Sequence, residues 1–580
     1  VPKAATHPAL PAFYRIICKS GNKAVTLCRG WQNYIGLQHI SGLAVKEAIP
    51  KANTLMDVST MKITKMDYAA TGAFSQTIAD YLCRSKQLQT FYNHFPTIQA
   101  FEAQIKEKSF GEAQRQALHQ ALQEQYQSVA GIHPKVQQHI DLLLQPNTYT
   151  ITTGHQLNIF TGPLYFIYKI ITAINTCTQL QEKYPDYNFV PVYWMATEDH
   201  DFAEVNHFSL FGKKYIWETE QTGAVGRFAT EDLEKVLEEL PEPYPVFEDA
   251  YRNSKNLADA TRAITHALFG EYGLVSVDGD HAELKKALTP VVEKELTEQL
   301  SNRLVEEVNA QLERLNYKQQ VFSREINLFY LLEGLRERIV QEGAIYKVLN
   351  TGISFSREEI LQEAREHPER FSPNVILRPL YEELILPNLA YIGGGAEVAY
   401  WFQLKKLFEA YNVAFPVLML RNSGLYINKG NASRMHKMGL QPQDMFMDYQ
   451  ELKKHLSEQL HEEEINLEAQ RNTVAAAFAQ VEKLAKDVDP TLVKAVGAEA
   501  QKAYNSLQML EKKISKARDS KHEQTFKQLE NLKEKLFPNG SLQERHDNLL
   551  TYQTNNPNFI PAFVEAFDPF EFKFTILEEE

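Results

Sequence analysis

The chain has 580 residues, 44% hydrophobic and 23% charged, proportions of a folded protein with several domains rather than of a disordered one. Its net charge of −13 argues against nucleic acid as a partner, and no run of about 18 apolar residues marks a membrane span. Cys18, Cys28, Cys83 and Cys177 are scattered, without C-x-x-C or zinc spacing, and no basic stretch leads into a long apolar one near residue 1, so a reduced, cytoplasmic protein is expected, with no metal site assigned.

Residues 1–60 carry seven basic residues against Glu47 and Asp57, a net of +5, whereas the remainder nets −18. They lack a sustained period and read as a poorly ordered N-terminal extension, with a basic arm for an anionic partner as the alternative. Met61 opens a helix-compatible stretch. Residues 61–146 read as an N-terminal helical region packing on the core, with Ile78, Tyr81 and Leu82 on one stripe and Ala117, Leu118 and Leu122 on another. In residues 147–450, "TYTITTGHQ", "NFVPVYWMATEDHDF", "GLVSVDGDH", "LAYI" and "VAFPVLMLRNSG" read as strands. Helical stretches such as "GPLYFIYKIITAINTCTQLQEKY" lie between them, and this alternation predicts a parallel α/β sheet. Connecting insertions fall near 205–260 and 300–370, with β content at 205–219 and 328–356.

Residues 451–536 hold one proline, Pro490, and one glycine, Gly497. Val496, Ala500, Ala503, Leu507, Leu510, Ile514 and Ala517 step at heptad spacing, as do Leu467, Val474, Phe478, Val481 and Ala485. Two long helices turning at Asp487–Pro490 are predicted, an antiparallel coiled-coil arm whose second helix reaches roughly 70 Å. A self-contained hairpin and a homodimer joined through the arm both satisfy this pattern. Residues 537–580 read as a C-terminal return segment onto the core.

Four constellations have the residue types that chemistry needs. Gly154-His155-Gln156, with Asn158, Thr161 and Gly162, follows a strand and opens a helix; glycines admit a ligand close to backbone, and a helix N-terminus favours an anion. A tight turn with a satisfied polar cluster is the alternative. Glu198, Asp199 and His200 end the second strand, with Asn206 and His207 close behind; they suit amine binding, acid/base work or Mg²⁺. Gly393, Gly394 and Gly395 precede Glu397 between a strand and a helix, and the spacing matches no P-loop. Upstream, Arg378 is a cation in an apolar run, either a buried ion-pair partner or a carboxylate clamp. In "LFPNGSLQERH", Asn539 and Gly540 form a turn, and Gln543 and Arg545 follow as nucleotide or arm–core contacts.

Taken together, "TTGHQLNIFTGPLYFIYK", "VPVYWMATEDHDFAEVNH", "FSPNVILRPLYEELILPNLAYIGGGAEVAYWFQLK" and "LFPNGSLQERH" resemble the bacillithiol biosynthesis cysteine-adding enzymes, the cysteine ligase family, in order and spacing over about residues 66–570. The resemblance implies a Rossmann-like core related to class I nucleotidyltransferases, with insertions and a dimerising C-terminal coiled coil. It also implies a ligase that adds L-cysteine to the amine of glucosaminyl-malate in the last step of bacillithiol biosynthesis. Two departures stand out: many members carry Gln where this chain has His155, and no Lys-Met-Ser-Lys-Ser loop is present. Amide formation needs an activated carboxyl, so ATP or another nucleotide is expected. The glycine loops are assigned to the activated end, Glu198, Asp199 and His200 to the amine or sugar hydroxyls, and Arg378 or Lys169 to carboxylates. The competing readings are a nucleotidyltransferase-like enzyme acting on another small carboxylic acid and a non-catalytic coiled-coil assembly protein. Deleting residues 1–60 is expected to leave the melting temperature unchanged in a thermal melt; a large drop would show that the segment packs.

Overall fold

The computed structural model describes residues 61–459 and 465–580; the expected extension, 1–60, lies outside the described residues. Among the described residues fifteen strands form in chain order: β1 Met61–Asp67, β2 Thr148–His155, β3 Asn188–Met195, β4 His207–Leu210, β5 Lys213–Ile216, β6 Val275–Asp278, β7 Leu328–Leu332, β8 Leu335–Glu342, β9 Ile345–Val348, β10 Ser354–Phe355, β11 Phe371–Pro373, β12 Asn388–Gly393, β13 Val417–Leu420, β14 Gly424–Ile427 and β15 Lys573–Glu579. The central sheet is parallel throughout, in the order β13-β12-β2-β3-β6. Counted within this sheet from the β6 edge, the order is third, second, first, fourth, fifth, the doubly wound Rossmann arrangement. Strand order therefore reverses between β2 and β12, and a crevice opens there beyond the strands' C-terminal ends.

β2 is buried along nearly its whole length, so its threonines need internal partners. Thr150 and Thr152 donate to Asn388 Oδ1 at 3.3 and 2.9 Å, Asn388 Nδ2 donates to Glu383 at 2.6 Å, and Glu383 pairs with buried Lys108 at 2.6 Å. This polar chain pins β2 to the start of β12, at the end of the strands away from the crevice.

Both expected insertions are present. β4 and β5 form a hairpin after β3, and an antiparallel sheet, β10-β9-β8-β7-β11, stands between β6 and β12. The third sheet corrects two expectations. Met61–Asp67 is not helical but a strand, paired antiparallel to β15 from Met61↔Glu579 to Asp67↔Lys573. Its partner is the last strand of the chain, a pairing that no local period reveals. The core also ends earlier than 450: the parallel sheet closes at Leu420, and β14 pairs in parallel with β15 in the separate sheet.

The arm runs through helices Glu468–Val488, Val493–Lys521 and Glu523–Leu536, with Asp489 capping the turn at Thr491. The expected continuous second helix is interrupted at His522, where φ −109° and ψ 15° leave the helical region. Its distal part is therefore about 43 Å long. The proximal helix Glu523–Leu536 docks on Tyr449–Gln459 through buried Phe526, Leu529 and Leu456. In the distal hairpin the seam passes from Leu507 to Glu511, which pairs with Arg471 and accepts from Leu467 N. Leu510 and Ile514, expected in that seam, are instead 48% and 43% exposed.

The return segment is tied into the core by buried polar groups. Glu544 accepts from Arg421 Nη2 at 2.7 Å and Gly424 N at 2.9 Å, and Gln543 bonds both backbone groups of Tyr426 at 3.0 Å. Removing one partner of a fully buried pair leaves an unpaired charge, so Glu544→Ala is expected to cost about 3–5 kcal/mol. Urea denaturation checks this; a loss below about 1 kcal/mol, the value of an exposed pair, would mean that the pair is open to water.

Candidate functional site

The crevice between β2 and β12 holds a cavity of about 320 Å³. Gly154, His155 and Gln156 approach it from β2, Asp199 from the loop after β3, Arg378 and Glu382 from helix Arg378–Ile385, and Tyr391, Glu397 and Tyr400 from β12 and the helix after it. Glycine at 154 relieves a close approach, since a Cβ there would lie 3.1 Å from the Tyr391 hydroxyl. Gly162 has another role. Phe160, Thr161 and Gly162 all have positive φ, 51°, 67° and 59°. That strained run is held by Asn548, whose Nδ2 donates to Phe160 O and Gly162 O, each at 2.7 Å.

Lys169 lies at the floor. Its ammonium donates to Gly154 O at 2.7 Å and pairs with Glu397 at 2.5 Å, so it is already committed and buried. Burial raises the Glu397 pKa, but Lys169, the Gly394 N–H and the Tyr391 hydroxyl outweigh it and hold the carboxyl below its ordinary range. Glu382 behaves oppositely: burial, with the Glu383 and Glu397 charges, pushes its pKa well up despite Arg378, and its Oε2 has no partner. These surroundings favour the protonated form of a carboxyl that faces the cavity.

Asp199 accepts from Gln156 Nε2 at 2.9 Å and His200 N at 2.8 Å. Burial opposes its charge, yet Arg378 and Arg336 draw its pKa below the usual range. His200 is turned toward Arg336, whose Nη1 meets its Nδ1 at 2.6 Å; burial, then Arg336, lowers its pKa and favours the neutral ring. His155 stacks on Phe166 at 5.1 Å, and its Nε2 is unpartnered. Burial, then Lys169 and Arg421, depresses its pKa well below the ordinary value.

Several expected residues lie elsewhere. Glu198 pairs with buried Lys285 and faces a small pit beside Asp280 rather than the main cavity. Asn158 and Thr161 line another pit, and Gly393–Gly395, Asn206 and His207 line none of these cavities. Gly394 caps the helix Gly395–Trp401 through Glu397. Gly540 lines a separate cavity at the arm's root, Asn539 and Arg545 are exposed, and Gln543 is a buried arm–core contact. Glu382 and Arg336 were missed by the sequence reading. The signals were a carboxylate pair inside the apolar "LYEELIL" and alternating arginines in "LRERIV". Among the described residues, no three His, Cys, Asp or Glu side chains form a metal-ligand cluster, and no helix is long and apolar enough to cross a membrane.

Comparison with known proteins agrees with this architecture. Residues 61–422 match the family model "Bacillithiol biosynthesis BshC, N-terminal Rossmann-like domain", and residues 424–579 match "Bacillithiol biosynthesis BshC, C-terminal coiled-coil domain". A protein of Flavobacterium johnsoniae is 44% identical over 525 residues, covering 88% of this chain and 99% of its own. One from Cytophaga hutchinsonii is 42% identical over 515 residues, covering 89% and 98%. One from Bacillus cereus is 29% identical over 505 residues, covering 82% and 92%. All three carry the name "Putative cysteine ligase BshC". A Rossmann-like core matched over its length, a matched coiled-coil region and relatives aligned nearly end to end place this chain in the BshC family of bacillithiol biosynthesis ligases.

Proposed function

We propose that the enzyme forms an amide between the carboxyl of L-cysteine and the amine of glucosaminyl-malate, with the 320 Å³ cavity as the reaction chamber. The observation that carries this is the placement, at one switch point, of two carboxyls in contrasting surroundings, Asp199 beside Arg378 and Arg336 and Glu382 buried with an unpartnered Oε2. Asp199 holds the amino group. Its lone pair attacks the activated carboxyl carbon, the C–N bond forms, the C–O bond to the leaving oxygen breaks with its electron pair, and the amine's proton passes to Asp199 or solvent. Glu382 donates a hydrogen bond to the oxygen that gains charge. Trp194, Tyr391 and Tyr400 provide flat apolar walls for a sugar ring. Asp199, Glu204, Glu382 and Glu397 line the chamber together with Lys169 and Arg378, and the displaced oxygen leaves on the phosphate or nucleotide that activated the cysteine carboxyl. Nucleotide activation of the cysteine carboxyl remains part of the proposal as a chemical requirement.

Incubation with cysteine, glucosaminyl-malate and ATP, read by mass spectrometry, tests the reaction; absence of the cysteinyl adduct and of a nucleotide by-product would reject it. Asp199→Asn is expected to lower kcat about 100-fold with an unchanged melting temperature. His155→Gln is expected to retain turnover. Because the folded state keeps His155 neutral while the unfolded chain protonates near pH 6.5, its contribution to stability is present above that pH and declines as pH falls below it. The Gln variant should therefore lose less melting temperature between pH 7.5 and 5.5 than wild type.

We also propose that the arm pairs two copies. Val481, Leu484 and Val488 on one distal helix and Leu510 and Ile514 on the other are 43–82% exposed, more apolar surface than an isolated hairpin needs. Leu510→Asp with Ile514→Asp should give a monomer by light scattering with helical content retained, since neither residue lies in the hairpin's own seam. A surviving dimer would place the interface elsewhere.

A further inference from the structure

A second cavity, of about 430 Å³, adjoins the reaction chamber and shares Asp199 and Arg378 with it. Its character is the opposite. Arg324, Arg336, Arg338 and Arg378 line it, and Asp199 is its one acidic lining residue. The arrangement follows from the fold: Arg336 and Arg338 alternate along β8 and so share one face, while Arg378 begins the helix beneath Asp199.

None of these four arginines forms a salt bridge with a carboxylate among the described residues. Arg336 is 7% exposed and satisfied by neutral acceptors only: Ser372 Oγ at 3.0 Å, His200 Nδ1 at 2.6 Å and Pro373 O at 3.4 Å. Its guanidinium lies 3.9 Å over the Phe329 ring. Arg336, the buried member of the group, feels the charges of Glu198 and Asp199 without a direct ion pair, and Arg324, Arg338 and Arg378 add three further cations around a lining with one carboxylate. The cavity therefore carries an excess of positive charge that an anion can offset.

We propose that this cavity is a dicarboxylate subsite that receives the paired carboxylates of the malyl group while the amino sugar occupies the acidic chamber. This rests on the glucosaminyl-malate reading above and specifies how that substrate is oriented. Two carboxylates need two planar donors set apart, which the guanidinium fork supplies in bidentate form. Asp199 and Arg378, at the boundary, then face the junction between the anionic and aminated ends.

The test uses full-length protein and L-malate as the probe in isothermal titration calorimetry, with pyrophosphate and methyl glucosaminide as comparison ligands. Arg338→Gln and Arg324→Gln are chosen because both side chains reach solvent and neither supports the core. Malate is expected to bind wild type and to bind each variant about tenfold more weakly. The KM for glucosaminyl-malate should rise by a similar factor with kcat little changed, and methyl glucosaminide binding should not change. Malate affinity equal in wild type and both variants would overturn the assignment, as would arginine-dependent binding of pyrophosphate but not malate. The two proposals fail separately. Arginine-dependent malate binding without any cysteinyl adduct rejects the ligase chemistry and keeps the diacid site. Adduct formation with an unchanged KM in both variants keeps the chemistry and rejects the site.

Discussion

One buried cation, Lys169, organises the C-terminal edge of the sheet. Its helix leaves β2 on one side of the point where strand order reverses, and Glu397 stands on the other side. Doubly wound sheets open there because consecutive helices diverge to opposite faces. The ion pair, with the bond to Gly154 O, ties the diverging halves together while leaving space above them. Arg421 and Glu544 repeat the device one layer away, and there the acidic partner comes from the return segment beyond the arm. The crevice is thus open to a ligand yet fixed in width on two levels.

Electrostatic division of labour follows from this frame. Asp199 and Glu382 are two of the four acidic residues that line one chamber, and their surroundings separate them: Asp199 sits near two guanidinium groups, whereas Glu382 is buried among other carboxylates with Arg378 as an insufficient counterweight. Divergent protonation of neighbouring acids is how a single pocket offers both a proton acceptor and a proton donor at neutral pH. His200, neutral and engaged by Arg336, contributes position more than charge.

The parallel sheet was legible in the sequence because each of its strands is a short apolar run next to a helix, and both signals are local. Its site was legible in part for the same reason: His155 and Asp199 follow directly from strand ends. Pairing across the chain was not. Among the described residues β1 pairs only with β15, at the opposite end of the chain, so its short stretch reads as helical until β15 is laid beside it. Heptad spacing located the arm but not its seam, because the same spacing describes residues that face the partner helix and residues that face outward; the Arg471–Glu511 pair decides between Leu507 and Leu510. Lys169 reads as available for a carboxylate, and only the fold shows that Glu397 already occupies it. Arg336 and Arg338 are easily passed over because an alternating basic strand is usually a solvated surface.

The middle position in the three-stranded sheet belongs to β15, between β1 and β14. A ribosome synthesises β1 before any other strand described here and β15 after all of them, with the whole arm made between β14 and β15. The strained turn at Phe160–Gly162 likewise waits for Asn548. Translation can therefore complete the Rossmann-like half and the arm while the crevice is still slack. A chain cut before Asn548 would keep most of its hydrophobic core yet lack the groups that hold the Phe160–Gly162 turn and complete the three-stranded sheet.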